Sequence, residues 1–166
     1  MSNPLVPPAR RVDPRGQRFG AGFSAVILVT AFLLGQPIIV AAVALAMFAS
    51  AAFGTQYWLL GRPWPAIRHA LRLGPVELEH EYPPRFAQAM GVTFLGLGLI
   101  LLALGVTPVG WALVGAVVAL QTLLAATGFC LGCRLYFLRW WIPSAFARLI
   151  GRGTHIERIA LQPTRD

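Results

Sequence analysis

Two cysteines three positions apart, Cys130 and Cys133, are the residues of this sequence whose type and spacing best suit chemistry, set in Gly128-Phe129-Cys130-Leu131-Gly132-Cys133-Arg134. On a helix this spacing puts both thiols on one face. They can then form a disulfide with modest adjustment, share a metal, or let one thiol resolve a persulfide on the other. Exchange needs thiolate, and a cysteine near a helix C-terminus meets the negative end of the dipole, so Arg134 would have to compensate. Alternatively Gly128 breaks the helix and the pair opens a new turn, at a positive end. A third reading makes the cysteines small apolar packing residues beside glycines that favour close helix approach. A closed zinc site needs four ligands, and only two cysteines are present with His69 and His80 far away in sequence, so neither a metal nor a cofactor is expected. The candidate site is therefore Cys130, Cys133 and Arg134.

The elements that must position this pair follow from composition. A chain of 166 residues that is 57% hydrophobic and 12% charged has more apolar side chain than one soluble core can hide, so the excess must face lipid. All 14 basic residues are arginine, giving a net charge of +8. They fall in three short segments separated by long uncharged blocks, not in a stripe on one face, and nucleic-acid binding is not expected. The uncharged blocks run from Phe19 to Gly61 and from Phe86 to Cys133. At about 1.5 Å per residue each is roughly twice too long for one span, so each must fold back as a hairpin. Breakers stand near both midpoints, Gly35-Gln36-Pro37 and Gly105-Val106-Thr107-Pro108.

The sequence thus predicts an all-α integral membrane protein with four transmembrane helices as two hairpins, at Phe19 to Leu34, Ile38 to Leu60, Phe86 to Leu104 and Val109 to Leu131. The expected organisation is an N-terminal arm (1–17), a first hairpin (18–60), a loop with an interfacial helix (61–85), a second hairpin ending in the cysteine pair (86–133) and a tail (134–166). Arginines flank the hairpins and are missing from the mid-hairpin turns. The positive-inside rule then places both termini and the 61–85 loop in the cytoplasm of a bacterial inner membrane. Tyr57, Trp58, Tyr136, Trp140 and Trp141 fall where an aromatic belt would sit on that side, and Trp111 on the other. Ala49-Ser50-Ala51 resembles a leader-cleavage site, but the apolar run before it is about twice too long for a leader.

Arg18-Phe19-Gly20 is echoed by Arg85-Phe86-Ala87, and Ala51-Ala52-Phe53-Gly54 by Ala125-Ala126-Thr127-Gly128. A same-direction repeat, with a pseudo-two-fold axis along the membrane normal, is one reading; the shared composition of any two apolar hairpins is the other. Trp64 to Leu73 reads as a short interfacial helix, and Ser144 to Leu149 as a second. Glu77-Leu78-Glu79-His80-Glu81 is an acidic cluster that either clamps arginines, attracts a cation or is a solvated loop.

The expected spans hold no acid, base or histidine, only amides and hydroxyls such as Gln36, Gln56, Gln88, Thr93 and Gln121, which argues against a proton pump or ion-coupled carrier. Gln121 either lines a polar path or bonds a neighbouring helix. Hydrolase, nucleotide-binding and haem-binding patterns are missing from the sequence.

Asp13-Pro14-Arg15-Gly16-Gln17-Arg18-Phe19, Leu73-Gly74-Pro75 with Glu77-Leu78-Glu79, Pro83-Pro84-Arg85-Phe86-Ala87-Gln88, and Gly128-Phe129-Cys130-Leu131-Gly132-Cys133 stand in this order in the chain. Together they resemble the small bacterial integral-membrane family labelled domain of unknown function 4395, over residues 12 to 138. The resemblance brings no established activity. It implies, by association with thioredoxin-like and rhodanese-type proteins, a part in thiol or sulfur handling, with Cys130 and Cys133 as the nominated residues. The leading expectation is exchange of electrons or sulfane sulfur with a soluble thioredoxin-like or rhodanese-like partner, Arg134 favouring thiolate. A channel or carrier for a small sulfur species, passing Gln121, and a membrane scaffold are the alternatives.

Overall fold

A computed structural model describes residues 11–136 of the chain. The expected helix over Ser144 to Leu149, Trp140, Trp141 and almost all of the tail lie outside the described residues. The first helix, α1 (Pro14–Leu33), begins five residues earlier than the hydropathy suggests. Asp13 is its N-cap, its carboxylate accepting from the Arg15 N–H at 2.9 Å, and Pro14 opens the helix with the φ it already prefers. The same carboxylate accepts from Trp64 Nε1 at 3.0 Å and pairs with Arg68 at 3.4 Å, which fastens α3 (Trp64–Ala70) to the start of α1.

The second helix, α2 (Pro37–Phe53), ends seven residues before the expected Leu60. Gly54, at φ +112°, adopts a backbone closed to other residues, and the chain continues through two 3₁₀ turns, Thr55–Tyr57 and Leu59–Gly61. Those turns carry Trp58 inward. It is 5% exposed, with its indole lying where a Cβ on Gly20 would have to be, so it is a core residue and not part of an aromatic belt.

The last two helices are α4 (Tyr82–Ala103) and α5 (Thr107–Thr127). Glycine and proline end and restart the chain between α1 and α2 and again between α4 and α5, at the breakers named above. Three of these helices, α1, α4 and α5, are long and apolar enough to cross a membrane, and most of their surface is unburied within the protein. At 17 residues α2 is apolar but shorter, about 25 Å at ~1.5 Å per residue. The helical class is interrupted among the described residues by one short antiparallel ladder, β1 (Arg11–Val12) with β2 (Glu79–His80). Part of the acidic cluster is thereby spent on backbone pairing, and Glu81 accepts from the Thr55 hydroxyl at 3.4 Å.

Helix packing crosses between the halves: α1 lies chiefly on α5 and α2 on α4, while α4 and α5 also pack on one another. Two arginines tie these pairs reciprocally. Arg18 of α1 donates to the carbonyls of Ala125 (3.2 Å) and Ala126 (3.1 Å) at the end of α5, and Arg85 of α4 donates to Ala51 (3.1 Å) and Ala52 (2.9 Å) at the end of α2. Each guanidinium satisfies terminal carbonyls that the helix itself leaves open, and sits at the negative end of the dipole. The core repeats the same correspondence. Leu28 and Leu95, Val40 and Val114, and Val43 and Val117 are all buried, at matched places on α1 and α4 or α2 and α5.

Candidate functional site

The cysteine pair does not continue α5. Gly128 ends the helix in the left-handed conformation at φ +77°, its N–H returning to the Leu124 carbonyl, and residues 131–136 are helical again. Of the two arrangements the sequence allowed, the break at Gly128 is therefore the one present, and α5, expected to run to Leu131, stops short of the cysteines. Phe129 N–H is held by the Thr127 hydroxyl at 3.0 Å, which shapes the connecting turn.

Cys130 and Cys133 are joined in a disulfide, with Cα atoms 5.2 Å apart. Both residues are half-buried. The Cys133 backbone N–H donates to Cys130 Sγ at 3.1 Å, so Cys130 stands where a capping side chain would at the start of the following turn. Arg134 donates its backbone N–H to the Cys130 carbonyl, while its guanidinium lies over the Phe129 ring, 5.7 Å from the centroid. The charge expected of Arg134 is thus stacked on an aromatic ring. The cation that offsets the negative end of α5 is Arg18, which also lies against Gly128.

Gly132 sets the position of the turn against α4. A Cβ there would come within 2.7 Å of Ala87 Cβ and 2.8 Å of its Cα, so only glycine allows this approach.

Below the turn lies a cavity of about 630 Å³, walled by α1, α2, α4, α5 and the cysteine turn itself. Its lining joins Cys130, Cys133, Arg134 and Arg18 to Gln88, Gln121, Met47 and Trp58. Gln121, 8% exposed, donates its amide N–H to Met47 Sδ at 3.6 Å, a weak bond to a poor acceptor. Its Oε1, the Oε1 of Gln88 and the Nε1 of Trp58 are buried with no hydrogen-bond partner. Leaving such atoms buried and unpaired is costly.

Sequence reasoning named Cys130, Cys133 and Arg134, and the structure keeps them together. It missed the capping role of Arg18, read as one of the charges flanking the first hairpin, and the core place of Trp58, assigned to the interface. Gln88 and Gln121 stood out in sequence as intramembrane amides, but nothing there placed them in the same cavity as the thiols.

No curated protein and no solved structure matches this chain. A family comparison matches residues 12–140, nearly all of the described part and the cysteine turn within it, to Domain of unknown function (DUF4395). The family that the order of motifs from Asp13 to Cys133 resembles is thus the one that matches, and the chain belongs to the DUF4395 family.

Proposed function

We propose that this is a four-span protein of the bacterial inner membrane whose Cys130/Cys133 pair cycles between disulfide and dithiol at the cytoplasmic face, in exchange with a soluble thioredoxin-like or rhodanese-like protein. The observation that carries the reading is the joined pair, half-buried on its own turn beyond α5 and open to a cavity, an unusual place for cysteines that serve packing alone. In the reduced form the Cys133 N–H that now reaches Cys130 Sγ would favour thiolate at Cys130, making it the attacking sulfur. Attack on a partner's disulfide breaks that S–S bond and releases one partner thiolate. Cys133 then displaces the partner from Cys130, the internal disulfide re-forms, and two electrons remain on the partner as a dithiol. With a persulfide partner, the outer sulfur passes to the Cys130 thiolate, and Cys133 releases it as hydrosulfide while the disulfide closes.

The four-span topology draws support from α2, which runs along α4, and from the reciprocal caps of Arg18 and Arg85. The matched core positions support a same-direction duplication with its axis along the membrane normal. A carrier path past Gln121 has less support, because Leu28, Leu95, Val40 and Val114 fill the bundle beyond it.

The test is differential alkylation and mass spectrometry of the Cys130/Cys133 peptide in intact cells, with and without thiosulfate or oxidant, using a probe that preserves persulfides. A reversible disulfide or persulfide that responds to the challenge is expected. Thiols that stay reduced and unchanged under every condition would sink the exchange reading.

A further inference from the structure

The segment that joins α2 to α4 carries charge of one sign beside apolar side chains left uncovered. From Leu59 to Val76 it holds Arg62, Arg68 and Arg72 and no acid. Arg68 is spent on Asp13, but Arg62 and Arg72 are exposed and their guanidinium groups have no partner in the protein. Leu59 and Leu71 stand more than half exposed beside them in the chain. Of the acids that follow, Glu81 accepts from the Thr55 hydroxyl, and Glu77 and Glu79 lie beyond Gly74-Pro75, where the ladder draws the chain to Arg11 and Val12.

The segment is held in place. Asp13 binds both Trp64 and Arg68, and the Trp64 and Phe19 rings stand 5.8 Å apart, so α3 stays at the start of α1, a helix long and apolar enough to cross the bilayer. The end of α3 is strained as well. Leu73 N–H returns to the Arg68 carbonyl and Arg72 N–H to that of His69, with Arg72 left-handed at φ +49°, the one residue other than glycine to adopt a positive φ among the described residues. Helices that close in this way ordinarily place glycine there, because a Cβ is disfavoured in that conformation. An arginine at such a position, its charge in the open, points to a use for the side chain outside the fold.

We infer that the segment from Leu59 to Leu73 is a binding surface for the headgroups of anionic phospholipids in the leaflet beside it. A phosphodiester oxygen pair matches the guanidinium fork, and net negative charge in the lipid keeps the attraction from being cancelled within its own headgroup. Leu59 and Leu71 meet the acyl boundary, as apolar side chains do on basic segments that lie on a bilayer. A soluble acidic protein would satisfy the arginines and leave those leucines in water. The surface stands apart from the thiol exchange, and either leaflet could supply the lipid.

The experiment titrates the full chain, in a neutral maltoside detergent, with phosphatidylglycerol or with phosphatidylcholine of the same acyl chains. Bound lipid is counted by native mass spectrometry, with inorganic phosphate as competitor. Phosphatidylglycerol should bind more tightly, weakened roughly fivefold by Arg62→Gln or Arg72→Gly and about twenty-fold by both, while phosphatidylcholine binding stays the same. Leu71→Ser should weaken both lipids. Arg72→Gly separates recognition from folding, because it relieves the left-handed strain: its thermal midpoint in detergent alone should equal or exceed that of the wild type, while the rise on adding phosphatidylglycerol shrinks. Wild type that binds both lipids alike leaves the arginines to water or to an acidic protein and overturns the surface. So does a preference that survives the double variant, or phosphatidylglycerol displaced by millimolar phosphate, which would mean a site for free anions. An Arg72→Gly midpoint that falls in detergent alone overturns the role given to Arg72.

Discussion

Gly132 bears a constraint that neither its neighbours nor its hydropathy reveals. Because a Cβ would meet the Ala87 backbone at 2.8 Å, Gly132→Ala must push the cysteine turn away from α4. The expected cost is ~1–3 kcal/mol, measured by chemical denaturation in detergent, together with faster alkylation of the reduced cysteines as the turn loosens. An unchanged alkylation rate would show that the turn can shift without opening. The cysteines themselves should behave unequally. With Cys130 as the attacking sulfur, Cys133→Ser leaves a mixed disulfide unresolved and should accumulate a covalent adduct with the soluble partner on non-reducing gels, whereas Cys130→Ser should trap none. The reverse pattern would move the attacking role to Cys133.

At the scale of elements, the helix ends explain how the site is held. α5 stops at Gly128 with its terminal carbonyls taken by an arginine from another helix, and α2 stops at Gly54 in the same manner. A planar fork is needed to bridge two successive carbonyls, so Arg18→Lys should recover little of what Arg18→Gln loses. Each glutamine variant is expected to cost about 1 kcal/mol, since the guanidinium groups remain partly in contact with solvent. Arg18→Gln should raise hydrogen exchange at 125–128 and Arg85→Gln at 51–54. The two effects should add, as the sites share no partner. Exchange that rises at both helix ends in either single variant would mean that the caps act as one unit.

For the whole molecule, the decisive property is that the polar devices gather at one end. The arginine caps, the β1–β2 ladder, the Asp13 node and the cysteine turn stand together, while the breaks at Gly35 and Gly105 carry no charge. Single cysteines introduced at Gln36 and Thr107, in a chain lacking Cys130 and Cys133, should react with a membrane-impermeant maleimide added outside intact cells, and a cysteine at Gly74 only after permeabilisation. Labelling of all three from outside would refute the proposed orientation. The four-span form also predicts that α2 is protected from proteolysis in proteoliposomes, despite its 17 residues.

Much of this was legible from residue order alone. Blocks without charge are visible in any reading of the chain, because the cost of burying a charge in hydrocarbon is large and does not depend on neighbours. Hence the helical membrane class, the breaks at Gly35 and Gly105 and the family resemblance could be stated from the sequence. The helix limits at the charged end were misjudged, since Asp13, Gly54 and Gly128 act through local backbone conformation that hydropathy does not register. Only the tertiary structure decided that Trp58 is core, that Arg18 caps α5, and that Gln88 and Gln121 share a cavity with Cys130 and Cys133. Those relations join residues on different helices, and a contact that spans α1, α4 and α5 exists only once the helices have chosen their partners.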